Sequence, residues 1–227
     1  MLILAILLSA VLSYLLGSCN FSIIVVRLWK HKDIRNYGSH NAGLTNTLRC
    51  FGKGCAAFTL IGDLGKGIIA VFLSRFICTL LETGLTAQQD VHFIGYIAGI
   101  FAILGHVYPL YYHFKGGKGV LVGVSVFLEI DWKVFLCLIG IFIIVLAISK
   151  YVSLGSIIAS ACCPFLTFLF QVLQRGDLPW WYLWLNTLLS AVMAGWVIGM
   201  HDSNIQRLRN GTENKFSFHS SEKKDEG

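Results

Sequence analysis

Long apolar runs alternate along the chain with short polar clusters. Residues 1–29 are almost free of charge until Arg27, and further apolar segments cover 55–81, 91–112, 118–130, 134–149, 151–173 and 179–200. Most approach the ~20 residues with which an α-helix crosses a hydrocarbon core. The pattern predicts an all-α integral membrane protein with about seven transmembrane helices. The 118–130 piece is short and 134–149 is marginal, as suits helices that tilt or are buried against their neighbours. Leu16-Gly17-Ser18-Cys19 has the form of a lipoprotein cleavage signal, but no basic n-region precedes it and the apolar run continues to Val26. A retained first helix is expected.

The placement of the cations predicts orientation. Arg27, Lys30, Lys32, Arg35, Arg49 and Lys53 follow the first run; Lys115 and Lys118 follow the third, and Lys150 follows the fifth. Arg207, Arg209, Lys215, Lys223 and Lys224 follow the last. With seven spans all four stretches share one side and hold fourteen of the 18 basic residues. The opposite loops hold Lys133 and Arg175 beside Glu82, Asp90, Glu129, Asp131 and Asp177. The bias predicts an N-terminus outside and a C-terminus in the cytoplasm. Trp180, Trp181, Tyr182 and Trp184 then read as an interface belt at the outer start of the last span. Residues 1–215 are expected to form one polytopic membrane domain, and 216–227 a polar tail, partly disordered.

Composition excludes the other classes. Only 13% of the 227 residues are charged, about half the ordinary share. Mean hydropathy is +0.69, and a water-soluble core this apolar would leave large greasy patches exposed. The seven cysteines show no C-x-x-C spacing and mostly sit in apolar runs, which indicates neither a zinc site nor a disulfide framework. The net charge of +6 is spread over loops rather than gathered on a soluble module, so nucleic acid is not an expected partner.

The unusual residues crowd the side predicted to be cytoplasmic. In the stretch 38–49, Gly38 and Gly43 permit tight turns, Ser39, Asn41, Thr45 and Asn46 offer hydrogen bonds, and Arg49 supplies a planar fork suited to phosphate oxygens. In Lys115-Gly116-Gly117-Lys118-Gly119, backbone N–H groups, a helix start and two cations can face one anion. No Walker A frame fits there, and a basic turn touching anionic lipid is the plainer alternative. Asp63 and Lys66 fall three apart inside an apolar segment, on one helix face, where a structural ion pair and a site role are both open. His106 near the end of the third run reads as a capping or packing residue. Ser153 and Ser156 read as helix-capping candidates. His201, Asn204 and Arg207 would share one side of a short helix, followed by Glu213. The sequence lacks an H-x4-D pairing, a carboxylate cluster for a divalent metal and a G-x-S-x-G elbow. No metal or cofactor is therefore expected, and an enzyme here would act through positioning and charge.

Taken together, Asp33-Ile34-Arg35, the GSxNxGxTNxxR stretch 38–49, Asp63…Lys66-Gly67, Gly105-His106, FKGGKGV at 114–120 and HxxNIxRLxxGTE at 201–213 resemble one family. It is the bacterial acyl-phosphate:glycerol-3-phosphate acyltransferase family of the PlsY type, and the resemblance runs from Gly17-Ser18 to Glu213. There are departures. His40 stands where Gly is usual, Ala42 and Leu44 replace Pro or Ile and Ala, Cys19-Asn20 replaces an apolar residue and Pro, and Leu121-Val122 replaces Ala-Thr.

The resemblance implies transfer of a fatty acyl group from acyl-phosphate to the 1-hydroxyl of glycerol 3-phosphate in the bacterial inner membrane, with the site facing the cytoplasm. Its products are 1-acyl-glycerol 3-phosphate and phosphate, an early step of phospholipid synthesis. No obligate protein partner is implied beyond the bilayer. On this basis Ser39, Arg49, His201 and Asn204 are the expected catalytic set. Asn41, Thr45, Asn46, Lys115, Gly116, Gly117, Lys118, Gly119 and Ser153 are expected around the substrates. Asp63, Lys66, His106 and Glu213 are expected to act as supports. The rival reading is a transporter of an anion or organophosphate. Transporters commonly place polar sites near the midplane between related repeats, and no such repeat is visible here.

Overall fold

The computed structural model describes residues 1–84 and 93–216. All regular structure in them is helical: α1 Leu2–Ser18, α2 Phe21–Lys30, α3 Leu44–Leu80, α4 Gly95–Val107, α5 Val120–Ile130, α6 Trp132–Ser149, α7 Val152–Leu173, α8 Trp180–Gly199 and α9 Asp202–Arg209, with single 3-10 turns at Ile34–Asn36 and Leu110–Tyr112. The expected tail (217–227) and the start of the 91–112 segment lie outside the described residues.

Among the described residues, five helical stretches are long and apolar enough to cross a membrane: Leu2–Lys30, Leu44–Leu80, Trp132–Ser149, Val152–Leu173 and Trp180–Gly199. The α4 and α5 helices are shorter, and for a physical reason. They form the inside of the bundle, where protein rather than lipid surrounds them. Tyr96, Ala98, Ala102, Ile103 and Val107 of α4 and Val122, Val126, Phe127 and Ile130 of α5 are buried in one core. Residues of α3, α6, α7 and α8 complete that core. Leu7, Phe72, Ile143, Ile148 and Phe165 are exposed from the flanking helices, as lipid-facing residues must be. The 134–149 segment, marginal in the sequence, is a full 18-residue helix with few buried residues.

Two breaks shape the end where the polar clusters meet. The first apolar run is two helices rather than one. After Ser18 the chain turns, and Asn20 caps α2 by accepting from the Ile23 N–H at 3.3 Å. The other end of the Asn20 amide donates to the Ala42 carbonyl at 3.4 Å, tying the break to the 38–43 loop. The second break is inside α3, where Gly52 sits at φ 79°, a left-handed conformation that costs glycine little. The helix thus begins at Leu44, within the stretch expected to be a loop, and bends before it enters the bundle. Ile23 and Val26 of α2 pack with Ile34 and Ala42 against this bend.

Candidate active site

Four stretches far apart in sequence close around a cavity of about 560 Å³. Ser39, Asn41, Thr45, Asn46 and Arg49 come from the first loop and the start of α3, and Gly116 to Gly119 from the glycine loop. Ser153 comes from α7, and His201, Asn204, Arg207 and Glu213 from α9 and the chain after it. Asp63 and His106 reach the same cavity from α3 and α4.

The first loop is organised by Asn46. Its Oδ1 accepts from the Ser39 N–H at 2.9 Å, and its Nδ2 donates to the Tyr37 and Asn41 carbonyls at 2.9 and 3.1 Å. A buried amide with this many backbone partners is a knot in the chain. Asn46 therefore shapes the cavity from behind rather than offering its amide to a substrate. The Ser39 and Thr45 hydroxyls and the Asn41 amide have no such commitment among the described residues. One helical turn along, Arg49 lines the cavity with no hydrogen bond or ion pair to any described residue. A guanidinium on a cavity wall without a carboxylate is a ready site for an anion.

The glycine loop departs from its expected role. Gly116 and Gly117 donate their N–H groups to the Val107 and His106 carbonyls, each at 3.0 Å, so these donors fold the loop back onto the end of α4 and do not face an anion. Their lack of side chains matters instead. A Cβ on Gly117 would collide with His106 Nε2 and the Ala42 carbonyl, the two surfaces between which the loop is pressed. What remains for an anion is Lys118 and the unpaired N–H groups of the first turn of α5.

Lys115 lies outside the cavity, with its side chain exposed. Its carbonyl is what the site uses, accepting from Arg35 Nη1 at 3.1 Å, while the same nitrogen donates to the Tyr112 carbonyl at 2.8 Å. Arg35 is held in turn by Asp33 at 2.8 Å. The hydrogen bonds from Arg35 keep the Asp33 carboxyl well below the ordinary carboxylate range. The clamp joins the first loop to the glycine loop. No spacing in the sequence announces it, because its acceptors are backbone carbonyls.

Glu213 gathers the C-terminal side. Its Oε1 accepts from Ser153 Oγ at 3.1 Å and from Asn204 Nδ2 at 2.8 Å, and its Oε2 accepts from Arg207 Nε at 2.7 Å. Burial alone would raise its pKa, but the hydrogen bonds from Asn204, Arg207 and Ser153 bring it below its ordinary value. Ser153 thus lines the cavity with its hydroxyl committed to a support, and Ser156 donates back to the Val152 carbonyl at 2.9 Å. The Asn204 amide is engaged at both ends, since its Oδ1 also accepts from Lys118 Nζ.

Burial lowers the pKa of Lys118 to about 8 against the pull of Glu213. His201 is lowered to about 4, again mainly by burial, and is neutral at physiological pH. Its Nδ1 lies 2.7 Å from the Val197 carbonyl, which can only accept. The ring proton is therefore on Nδ1, and Nε2 is an acceptor.

Beneath the cavity, Lys66 and Asp63 form an ion pair at 2.8 Å, both buried. The Lys66 ammonium also donates to the Gly17 and Cys19 carbonyls at 3.0 and 2.9 Å and to His106 Nδ1 at 2.8 Å. The Phe21 N–H donates to Asp63 at 3.4 Å. The trio thus spans the break between α1 and α2, the middle of α3 and the end of α4, directly behind Gly117. Among the described residues no group of three His, Cys, Asp or Glu side chains is arranged to hold a metal ion.

The family model for glycerol-3-phosphate acyltransferase matches residues 7–211. Glycerol-3-phosphate acyltransferases from Clostridioides difficile strain 630 and Prochlorococcus marinus strain MIT 9312 are 38% and 40% identical, covering 91% and 90% of this chain and 93% and 94% of their own. The solved integral membrane glycerol 3-phosphate acyltransferase PlsY, in its glycerol 3-phosphate form, is 29% identical with a TM-score of 0.76, covering 93% of this chain and 96% of its own. Its lysophosphatidic acid form gives 27% and 0.74, covering 94% and 96%. With a match over nearly its whole length, this integral membrane enzyme belongs to the glycerol-3-phosphate acyltransferase family.

Proposed function

We propose that the enzyme transfers a fatty acyl group from acyl-phosphate to the 1-hydroxyl of glycerol 3-phosphate, as an early step of phospholipid synthesis. The 1-hydroxyl oxygen attacks the acyl carbonyl carbon, the carbon–oxygen bond to phosphate breaks, and 1-acyl-glycerol 3-phosphate and inorganic phosphate leave. The observation that carries this reading is the adjacency of two cavities of opposite character. The 560 Å³ cavity presents Arg49 and Lys118, as two phosphate-bearing substrates require. An apolar cavity of about 110 Å³ adjoins it and shares Val120, Leu121, Phe142 and Ser156, as a fatty chain requires.

Arg49 and Lys118 hold phosphate oxygens, helped by the first N–H groups of α5. Ser39, Thr45 and Asn41 add neutral hydrogen bonds. His201 accepts from the attacking hydroxyl through Nε2 and orients it. A ring with a pKa of about 4 holds a proton poorly at neutral pH, so the hydroxyl proton goes on to phosphate, whose second pKa is near 6. Glu213, Asn204 and Arg207 fix the C-terminal wall, and the buried trio fixes the glycine loop. The acyl-phosphate already carries a good leaving group, so positioning and charge are sufficient. The site faces the cytoplasm of a bacterial inner membrane in this reading, following the basic residues around it.

Purified protein supplied with glycerol 3-phosphate and, in turn, acyl-phosphate, acyl-carrier-protein and acyl-CoA tests the donor. Product is expected with acyl-phosphate alone. Turnover with either thioester at a comparable rate would overturn the donor assignment.

A further inference from the structure

Four residues belong to both cavities: Val120 and Leu121 at the start of α5, Phe142 of α6 and Ser156 of α7. On one side of them are Arg49 and Lys118. On the other the lining is apolar and includes Ile103, Phe127, Leu138 and Met193. We infer that Leu121 and Phe142 form a throat through which the donor's acyl chain leaves the phosphate-bearing cavity, and that the bore of this throat selects the chain. The inference rests on the acyl-phosphate reading above.

The throat is built to be apolar and fixed in width. Its one hydroxyl, Ser156 Oγ, is tied to the Val152 carbonyl of its own helix at 2.9 Å and offers the passage no free donor. The Phe142 ring lies against Gly155 of α7. A Cβ there would come within 3.0 Å of Phe142 Cδ2 and 3.1 Å of the Phe142 carbonyl oxygen, so the ring has no room to retreat toward α7. Leu121 stands three residues after Lys118 on the same short segment. The group that grips the donor's phosphate and the group that gauges its chain are therefore held at a fixed separation. The segment of chain at the throat is the few carbons next to the reacting carbonyl, where a misfit displaces the carbonyl from the attacking hydroxyl. Each methylene that passes into the apolar cavity strengthens binding roughly fourfold, so a chain that clears the throat is preferred over one too short to reach it.

The experiment compares kcat/KM for palmitoyl-phosphate and butyryl-phosphate in wild type, Leu121→Trp and Gly155→Ala. Leu121→Trp fills the throat from α5 and is expected to lower the palmitoyl-to-butyryl ratio by roughly tenfold or more. Gly155→Ala acts from the other wall by pushing Phe142 inward, without touching the glycine loop, and is expected to move the ratio the same way. Leu121→Ala widens the bore, and acceptance of a 2-methyl-branched acyl-phosphate relative to the linear one is expected to rise roughly tenfold. A variant that loses all turnover is read by thermal stabilisation with palmityl phosphonate and butyl phosphonate, where the advantage of the longer compound is expected to shrink. Ratios and stabilisation unchanged from wild type in both Leu121→Trp and Gly155→Ala would overturn the throat. Wild-type protein that uses a thioester donor and rejects acyl-phosphate would instead sink the proposed donor, which is a separate outcome. The chain-length ratio would then be measured with that thioester.

Discussion

At the scale of single residues, the polar motifs name the site's charges better than their duties. Arg49 and Lys118 stand out in the sequence as candidate phosphate ligands, a planar fork and a point charge beside glycines, and both line one cavity. Asn46, Ser153 and Lys115 looked equivalent to their neighbours in composition, and geometry separates them. Asn46 and Ser153 are spent on backbone and on Glu213, and Lys115 contributes a carbonyl. His40 shows a departure accommodated: it holds φ 57° where glycine is usual, and its Nδ1 meets the Arg35 carbonyl at 2.9 Å. Arg49→Lys keeps the charge and most of the volume but replaces two parallel hydrogen bonds by a point charge on a flexible stem. Steady-state kinetics should show kcat/KM lowered on the order of a hundredfold, about 3 kcal/mol of transition-state stabilisation, with normal accumulation in the membrane. Near-normal turnover would return Arg49 to the role of a topology signal. Lys118 supplies a second measurement. Its pKa of about 8 means the ammonium is present below that pH and lost as pH rises through it. If the charge holds phosphate, kcat/KM falls about tenfold per pH unit above 8. In Lys118→Arg, which stays protonated, that alkaline limb should vanish at whatever rate survives, and a limb left in place would assign it to another group.

The elements record a different competition. Apolar length located the helices, but not the breaks that aim them at the site. Asn20 ends one helix and caps the next inside an apolar run, without interrupting hydrophobicity enough to be seen, and Gly52 bends α3 just beyond Arg49, in a polar stretch that reads as loop rather than helix. Asp63 and Lys66 were visible as charges in a span, and their spacing correctly suggested one face. Their reach to the α1–α2 break and to His106 was not visible, because two of the acceptors are carbonyls freed only by the break. This arrangement predicts unequal effects. Lys66→Met leaves Asp63 buried without its cation and should cost about 3–5 kcal/mol. Asp63→Asn combined with Lys66→Met removes the stranded charge and should recover part of that loss. The Gly17 and Cys19 carbonyls stay unpaired in both, so recovery is incomplete. Thermal unfolding in one detergent gives the order wild type, double variant, single variant. A single variant as stable as wild type would show that the trio does not hold the breaks.

For the molecule as a whole, the helix ends carry the argument. The polar cavity takes side chains from the segment before α3, the loop between α4 and α5, the start of α7 and the chain after α8. These belong to one end of the bundle, and together they coincide with the stretches that hold fourteen of the 18 basic residues. A shared cavity needs these stretches on one side of the bundle, and the charge bias points to the same arrangement. Hydropathy counts 91–112 and 118–130 as apolar segments but does not show that the short helices within them pack inside the bundle. Reporters fused after residues near 52, 116, 150 and 215 are expected to report the cytoplasm, and those near 131 and 177 the outside. The decisive position is 116. It lies between two short inner helices of 13 and 11 residues, and if both failed to traverse, this loop alone would change sides while the long outer helices kept theirs. Gly117 is pressed against His106 and the Ala42 carbonyl of the first loop, so positions 52 and 116 must agree whichever way the protein is inserted. Agreement between those two with all signs reversed would overturn the orientation and leave the site intact. Disagreement between them would dismantle the site itself, since Lys118 could no longer share a cavity with Arg49.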